Sequence, residues 1–88
     1  MTDTATQDSN TRNASRRRID KLGQIEIDET NTVACVVRNI SEAGAMIMVR
    51  HSTDIPDRVV LSIPEEGFRR AAKVKWRRTR SIGVIFVR

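Results

Sequence analysis

The apolar residues of this chain fall in short runs that alternate with polar residues, and turn-forming residues separate the runs at roughly ten-residue intervals. This pattern predicts β-strands at residues 23–28, 32–38, 45–50, 58–63, 68–77 and 82–87. No window has a sustained helical period. Short antiparallel strands leave exposed edges unless the sheet closes on itself. The sequence therefore predicts an all-β fold, a six-stranded antiparallel β-barrel.

The alternation also predicts which side chains face the core. In the second strand Val33, Cys35 and Val37 share one face, and Cys35 is expected to be a packing residue rather than a reactive one. The third strand is apolar on both faces, and both are expected to be covered. The fifth strand is predicted to place alternate residues inside and outside the barrel: Ala72, Val74 and Trp76 inside, and Lys73, Lys75 and Arg77 outside.

Residues 1–15 are small and polar and have no periodicity, so ordering them would bury too little apolar area to offset the lost entropy. We predict a flexible arm at 1–15 and one barrel domain at 16–88. Cys35 is the lone cysteine and cannot form an internal disulfide. No apolar stretch reaches the ~20 residues of a membrane span, and the N-terminus lacks a signal peptide's apolar region. The expected location is the cytoplasm.

The net charge of the chain narrows the classes of molecule that it is expected to bind. The chain has 16 basic against 11 acidic residues, a net charge of +5, and 13 of the basic residues are arginine. A basic protein expects an anionic partner such as nucleic acid, a nucleotide, a membrane surface or an acidic protein. Guanidinium groups make bidentate contacts with phosphate and with guanine that lysine cannot make.

Two local patterns suggest a binding site. The segment Asn39-x-Ser41-x-x-Gly44 joins the second strand to the third, and its amide and hydroxyl groups suit the polar edge of a base. Gly44 is expected to allow a positive φ and to keep side-chain bulk away from a ligand. These residue types are also common turn formers, so the segment alone does not distinguish a binding site from an ordinary turn.

The second pattern is a run of arginines before the first predicted strand. Arg12 and Arg16 are spaced as Arg12-x-x-x-Arg16, and Arg17 and Arg18 follow. Such a run is usually a solvated face or a nonspecific nucleic-acid patch. However, an arginine can also donate in a fork to guanine O6 and N7, or stack on the base.

In this order, the two patterns resemble the signature of the PilZ domain, a bacterial receptor module for cyclic di-GMP. That signature has an RxxxR motif before the barrel and a D/N-x-S-x-x-G motif between the second and third strands. Arg12 to Arg16 and Asn39 to Gly44 fit the two motifs. The resemblance covers about residues 12–88, and several later segments look like single-domain PilZ proteins of alphaproteobacteria. Thr11 stands where many members have another arginine, and a second register from Arg17 to Lys21 ends in lysine.

The resemblance implies a receptor for the second messenger cyclic di-GMP, with no other cofactor. Its ligand-binding residues would be Arg12, Arg16, Arg17, Asn39, Ser41 and Gly44. The arm would close over the ligand, and the altered surface would signal to a downstream protein partner.

Two other functions stay open: nonspecific binding of RNA or DNA, and a PilZ-like module that binds proteins without the nucleotide. Exposed aromatic residues would favour the first, but Phe68, Trp76 and Phe86 are all predicted to lie in the core. Neither catalysis nor a metal site is expected, because the sequence shows no histidine–nucleophile pair and His51 is its one histidine.

Overall fold

The computed structural model describes residues 17–87, which form six antiparallel strands closed into a barrel. The strands are β1 Arg17–Glu26, β2 Thr32–Ile40, β3 Gly44–Met48, β4 Arg58–Ile63, β5 Phe68–Arg78 and β6 Ser81–Phe86. Short 3-10 helices at Ser52–Asp54 and Pro64–Glu66 flank β4. The order around the barrel is β1-β2-β3-β6-β5-β4, and β4 pairs again with β1. The predicted six-stranded barrel is confirmed.

Most predicted strand boundaries fall close to the observed ones. Residues 58–63 are the bounds of β4, and the other predicted ends lie within two residues of the observed ones except the start of β1. That strand begins at Arg17 rather than at residue 23. The predicted arm at 1–15 lies outside the described residues, so the division into an arm and a domain stays a prediction.

The basic run enters β1 because its backbone pairs with β2. Arg17 lies opposite Ile40 and Arg18 opposite Asn39, and a bulge follows before Lys21. Within the bulge Asp20 has a φ of 48°, a left-handed conformation that aspartate tolerates better than most residues. Ile19, just before Asp20, packs against the core.

The pairing of β1 with its two neighbours is unequal. Its ladder with β2 extends from Arg17 to Glu26, whereas its ladder with β4 contains Gln24, Ile25 and Glu26. Within the described residues, the backbone of the first part of β1 is therefore paired with β2 alone.

The core consists of inward-facing aliphatic side chains from all the strands. The largest fully buried side chains are Ile25, Val37, Ile47, Leu61, Ile63 and Ile82. Cys35 is buried among them, as predicted. The outward residues of β3, Met46 and Met48, are only half-buried.

A bulge in β5 reverses the predicted faces of two residues. Val74 pairs with Val84, but Trp76 pairs with Gly83, so one extra residue separates the two pairs. Because Val84 points into the core, Gly83 and Trp76 lie on the outside of the barrel. The prediction that Trp76 shares the inner face with Val74 is wrong.

The same bulge places Arg77 on the inner side of β5 at the end of the barrel, where its side chain stays 32% exposed. It pairs with the buried Ile82, and its Nη1 donates to the carbonyl oxygens of Ser52 and Ile55 at 2.7 and 2.6 Å. Its Nη2 donates to Asp57 Oδ1 at 2.8 Å. Arg77 therefore holds the loop before β4 in place. The alternation had instead predicted that it would extend a cationic outer face.

Candidate functional site at the barrel end

The turn between β2 and β3 is organised by Ser41. Its backbone N–H donates to the Gly44 carbonyl oxygen at 2.8 Å, and its Oγ accepts the N–H groups of Ala43 and Gly44 at 3.2 and 3.3 Å. A contact from Oγ to the Gly44 carbonyl oxygen is longer, at 3.4 Å. The lone pairs of the hydroxyl thus hold the turn, and its proton is weakly engaged.

Gly44 is required by close packing rather than by an unusual backbone conformation. It begins β3 and pairs with Ile85 of β6, and the glycine with positive φ among residues 17–87 is Gly67, at 64°. The predicted positive φ of Gly44 is wrong. A Cβ at this position would collide with the carbonyl oxygen of Val84 and would lie 3.1 Å from its carbonyl carbon. The absent side chain lets the end of β3 lie directly against β6.

The two sequence patterns meet where β1 pairs with β2. Arg17 is opposite Ile40, which directly precedes Ser41, and Arg18 is opposite Asn39. Paired residues share a face of the sheet, and successive residues of a strand alternate between faces. Arg17 therefore lies on the inner face with Ile40, and Arg18 lies on the outer face with Asn39. Arg12 and Arg16 lie outside the described residues, and their placement stays a prediction.

Arg17 and Ser41 line one open cavity of about 570 Å³ at this end of the barrel. A volume of several hundred cubic ångströms is typical of small-molecule sites. Much of its wall is apolar and comes from four residues of four different strands: Ile19, Ile40, Ile63 and Phe68. Its other polar residues are Glu42, Glu66 and Arg70.

Arg70 is a cavity residue that the sequence reasoning missed. It pairs with the fully buried Leu61, so it is on the inner face of β5, near the strand's beginning. Its guanidinium carbon lies 4.8 Å from the centroid of the Phe86 ring, and Phe86 in turn is 5.4 Å from Phe68. The signal was available: counting back by two from the inward Ala72 reaches Arg70.

Comparison with known proteins identifies the family. The family model of the PilZ domain matches residues 10–88. The chain belongs to the PilZ family. Comparison with curated proteins gave no match. PilZ domains are binding and effector modules, and the family is known as a receptor domain for cyclic di-GMP. The matched range includes both sequence motifs.

Ion pairs distinguish the arginines of this PilZ domain. Asp20 accepts from Arg18 Nε at 2.8 Å and from Arg38 Nε at 2.9 Å. The hydrogen bond from Arg18 lowers the pKa of Asp20, and the positive charges of Arg18 and Arg38 act in the same direction. Within residues 17–87, by contrast, neither Arg17 nor Arg70 has a carboxylate partner. The cavity therefore holds two guanidinium groups available to an anion, whereas Arg18 is already engaged.

The two acidic residues of the cavity, Glu42 and Glu66, differ in whether a basic residue offsets their charge. Lys21 Nζ lies 3.2 Å from Glu66 and 3.3 Å from Glu65, and the hydrogen bonds that it donates to these two carboxylates raise the pKa of Lys21. The charge of Glu66 is thereby offset. Glu42 is exposed on the β2–β3 turn, where water screens its charge.

A second surface continues from the turn across the outside of the barrel. Asn39 Nδ2 lies 3.8 Å from the sulfur of Met46, Met46 pairs with Gly83, and the indole of Trp76 covers Gly83. The guanidinium carbon of Arg78 lies 5.4 Å from the Trp76 ring. We call this band, from Asn39 through Met46 and Gly83 to Trp76, the outer row. The N-x-S-x-x-G turn stands where the outer row meets the cavity.

Among residues 17–87, no group of three or more His, Cys, Asp or Glu could hold a metal ion. The same residues contain no helix long and apolar enough to cross a membrane.

Proposed function

We propose that this PilZ domain is a cyclic di-GMP receptor whose ligand binds at the junction of the cavity and the outer row. One observation carries the proposal: Arg17, which directly follows the Arg12 to Arg16 motif, and Ser41 of the second motif line the same cavity. Family membership supports the choice of ligand.

The chemistry of the junction suits a purine dinucleotide that carries two negative charges. Arg17 supplies one guanidinium group, and Arg12 and Arg16 of the preceding segment would supply two more. The Asn39 amide has the donors and acceptor needed to read a guanine edge, and the Ser41 proton, held only by a long contact to the Gly44 carbonyl oxygen, could turn to donate to a ligand oxygen. Gly44 lets β3 lie against β6 and so supports the turn that carries Ser41.

The proposed response follows from the position of the basic segment. Residues 12–16 lead directly into Arg17, so arginines that grip the ligand would draw this segment over the junction. The new surface of segment and ligand would then engage or release a partner protein in the cytoplasm. The domain would act as a receptor and effector rather than as an enzyme.

Nonspecific nucleic-acid binding is less well supported. Such proteins use several exposed aromatic residues as stacking platforms. Phe68 and Phe86 pack against the core, and Trp76 is the aromatic residue that the barrel presents on its outer face.

Isothermal titration calorimetry with cyclic di-GMP, GTP and single-stranded DNA tests the proposal. We expect saturable binding of cyclic di-GMP that Arg17→Ala, Arg16→Ala and Ser41→Ala each weaken. A charge-assisted hydrogen bond contributes ~1.5–3 kcal/mol, so each arginine substitution should raise Kd roughly ten- to a hundredfold. Arg80→Ala is the matched control, because Arg80 lies beyond the opposite end of β3, where its carbonyl oxygen accepts the Val49 N–H.

The outcomes separate the three functions. DNA binding that collapses with salt and ignores Arg17→Ala and Ser41→Ala would indicate a nonspecific nucleic-acid binder. No binding of any of the three ligands would leave the protein-interaction module. Because Ser41 also holds the turn, the Ser41→Ala result counts only if circular dichroism shows an intact barrel.

A further inference from the structure

Arg70 lies at an inward, half-buried position, where a charged side chain lowers the stability of the fold unless a partner interacts with it. An inward site near the end of a barrel strand would normally carry an apolar residue, as Phe68 and Ala72 do on the same face of β5. Arg70 is half-buried there, and within residues 17–87 no carboxylate neutralises it. Burial of an unpaired charge costs free energy that a bound partner can recover.

The Phe86 ring fixes the direction of this side chain. A guanidinium carbon 4.8 Å from the ring centroid is at the distance of a cation–π contact. Phe86 is itself held by its contact with Phe68 and by packing on the core. The guanidinium is thus supported from one side, while its N–H groups remain available to the cavity it lines.

The surroundings favour a base over a phosphate as its partner. The wall around Arg70 is built from Phe68, Ile63 and Ile19, and an apolar wall suits the face of a purine far better than it suits a charged phosphate. The groups suited to phosphate, Arg17 and the turn at Ser41, also line the cavity. A guanine lying against the apolar wall would present its O6 and N7 acceptors to a nearby fork of donors.

We infer that Arg70 is a specificity-determining residue that donates to the O6 and N7 edge of one guanine of cyclic di-GMP, with that base lodged in the barrel-end cavity. The inference rests on the proposed function, because it assigns this contact within the same site. It adds a residue of β5 to a site otherwise described by Arg17 of β1, Asn39 of β2 and the β2–β3 turn.

The experiment compares cyclic di-GMP with cyclic di-AMP, whose adenine has an amino donor where guanine has O6. Arg70→Met retains an unbranched apolar stem beside Phe86 but removes the donors. We expect Arg70→Met to raise the Kd for cyclic di-GMP roughly ten- to a hundredfold and to change the Kd for cyclic di-AMP far less. The preference of the protein for guanine should fall accordingly.

Two variants control for charge and for general damage. Arg70→Lys keeps the positive charge without the planar fork, and we expect it to lose guanine preference nearly as fully as Arg70→Met. Arg69→Met alters the adjacent arginine, which lies on the outer face and pairs with Glu26 at 2.9 Å. It should leave both affinities unchanged.

The inference is overturned if Arg70→Met retains the wild-type guanine preference, if both dinucleotides weaken equally, or if Arg70→Lys restores full preference. In those cases the receptor proposal still stands, provided that the wild type binds cyclic di-GMP and Arg17→Ala weakens it. If the wild type does not bind cyclic di-GMP, both fall together.

Discussion

The indole of Trp76 covers Gly83 on the outside of the barrel. A Cβ on residue 83 would collide with the indole nitrogen and would lie 2.8 Å from Cδ1. The pairing of these residues depends on the β5 bulge, which moves Trp76 from the inner face to the outer row. Since Trp76 is the sole tryptophan of the chain, its fluorescence reports on this surface alone.

Gly83→Ala should displace the indole without breaking the barrel, because a side chain can move where a backbone cannot. We expect a red shift of tryptophan emission as the ring becomes more exposed. The loss of stability should be ~1 kcal/mol, or about 4–8 °C in Tm for a domain of this size. An unchanged emission spectrum would show that the indole does not rest on Gly83.

Gly44→Ala should be more damaging, because the new methyl would meet the backbone of β6 rather than a movable ring. We expect a loss of about 2–3 kcal/mol in urea denaturation. Gly67→Asn is the matched control: Gly67 has a φ of 64°, which asparagine tolerates, and a Cβ there meets nothing within 4 Å. Equal losses for the two variants would contradict the close approach at Gly44.

Arg77→Met should destabilise the barrel by on the order of 2 kcal/mol, because it leaves the Ser52 and Ile55 carbonyl oxygens without their donor. Lys75→Met, two residues earlier and exposed, should change the unfolding free energy by less than ~0.5 kcal/mol. Urea denaturation measures both. If the two substitutions cost the same, Arg77 does not fasten the loop.

The thiol of Cys35 should be nearly inert in the folded protein. Burial raises its pKa to about 12, so the reactive thiolate is scarce at pH 8. We expect alkylation by iodoacetamide to be slower than in the urea-unfolded chain by about three orders of magnitude. Mass spectrometry of timed samples gives both rates, and comparable rates would show that the thiol is accessible.

Acid should remove the contribution of Asp28 to stability. The Asn31 side-chain amide lowers the pKa of Asp28, and the Thr30 N–H also donates to it, within the β1–β2 turn. A carboxyl group with a lowered pKa stabilises the fold above its unfolded value of about 3.9, and this contribution fades as pH falls through the folded value.

The pH dependence can be measured through Asp28→Ala. The difference in Tm between wild type and this variant should be largest at pH 5–7 and should shrink below about pH 4. Glu29→Ala, the next residue of the turn, controls for general changes at this position. A difference that stays constant down to pH 2 would remove Asp28 from the acid response.

Periodicity predicted the barrel and most strand ends but not the bulges. The alternation of apolar residues locates strands such as β4 because it reflects burial directly. A bulge adds one residue without changing composition, so the reversed faces of Trp76 and Arg77 left no trace in the pattern. The early start of β1 was not predicted because its first residues are charged, which suggested a solvated segment. Their backbone nevertheless pairs with β2.

The site was predicted in part. The order of the motifs along the chain suggested that Arg17 and Ser41 belong together, and they line one cavity. The preference for Arg17 over Arg18 could not be predicted, because it depends on the Asp20 bulge and on Arg38 of another strand. The role of Gly44 depends on the long-range pairing of β3 with β6, which the local sequence does not specify.

The uneven anchoring of β1 bears on how such a receptor would respond. A stretch of chain supported along one side opens at lower free energy than one supported along both, so Arg17 sits on the most easily loosened portion of its strand. A ligand that binds Arg17 would reduce these local fluctuations, while strands β4, β5 and β6 would stay unchanged. Ligand binding would then change the flexibility of one edge of the barrel, the start of β1, without changing the fold of the barrel.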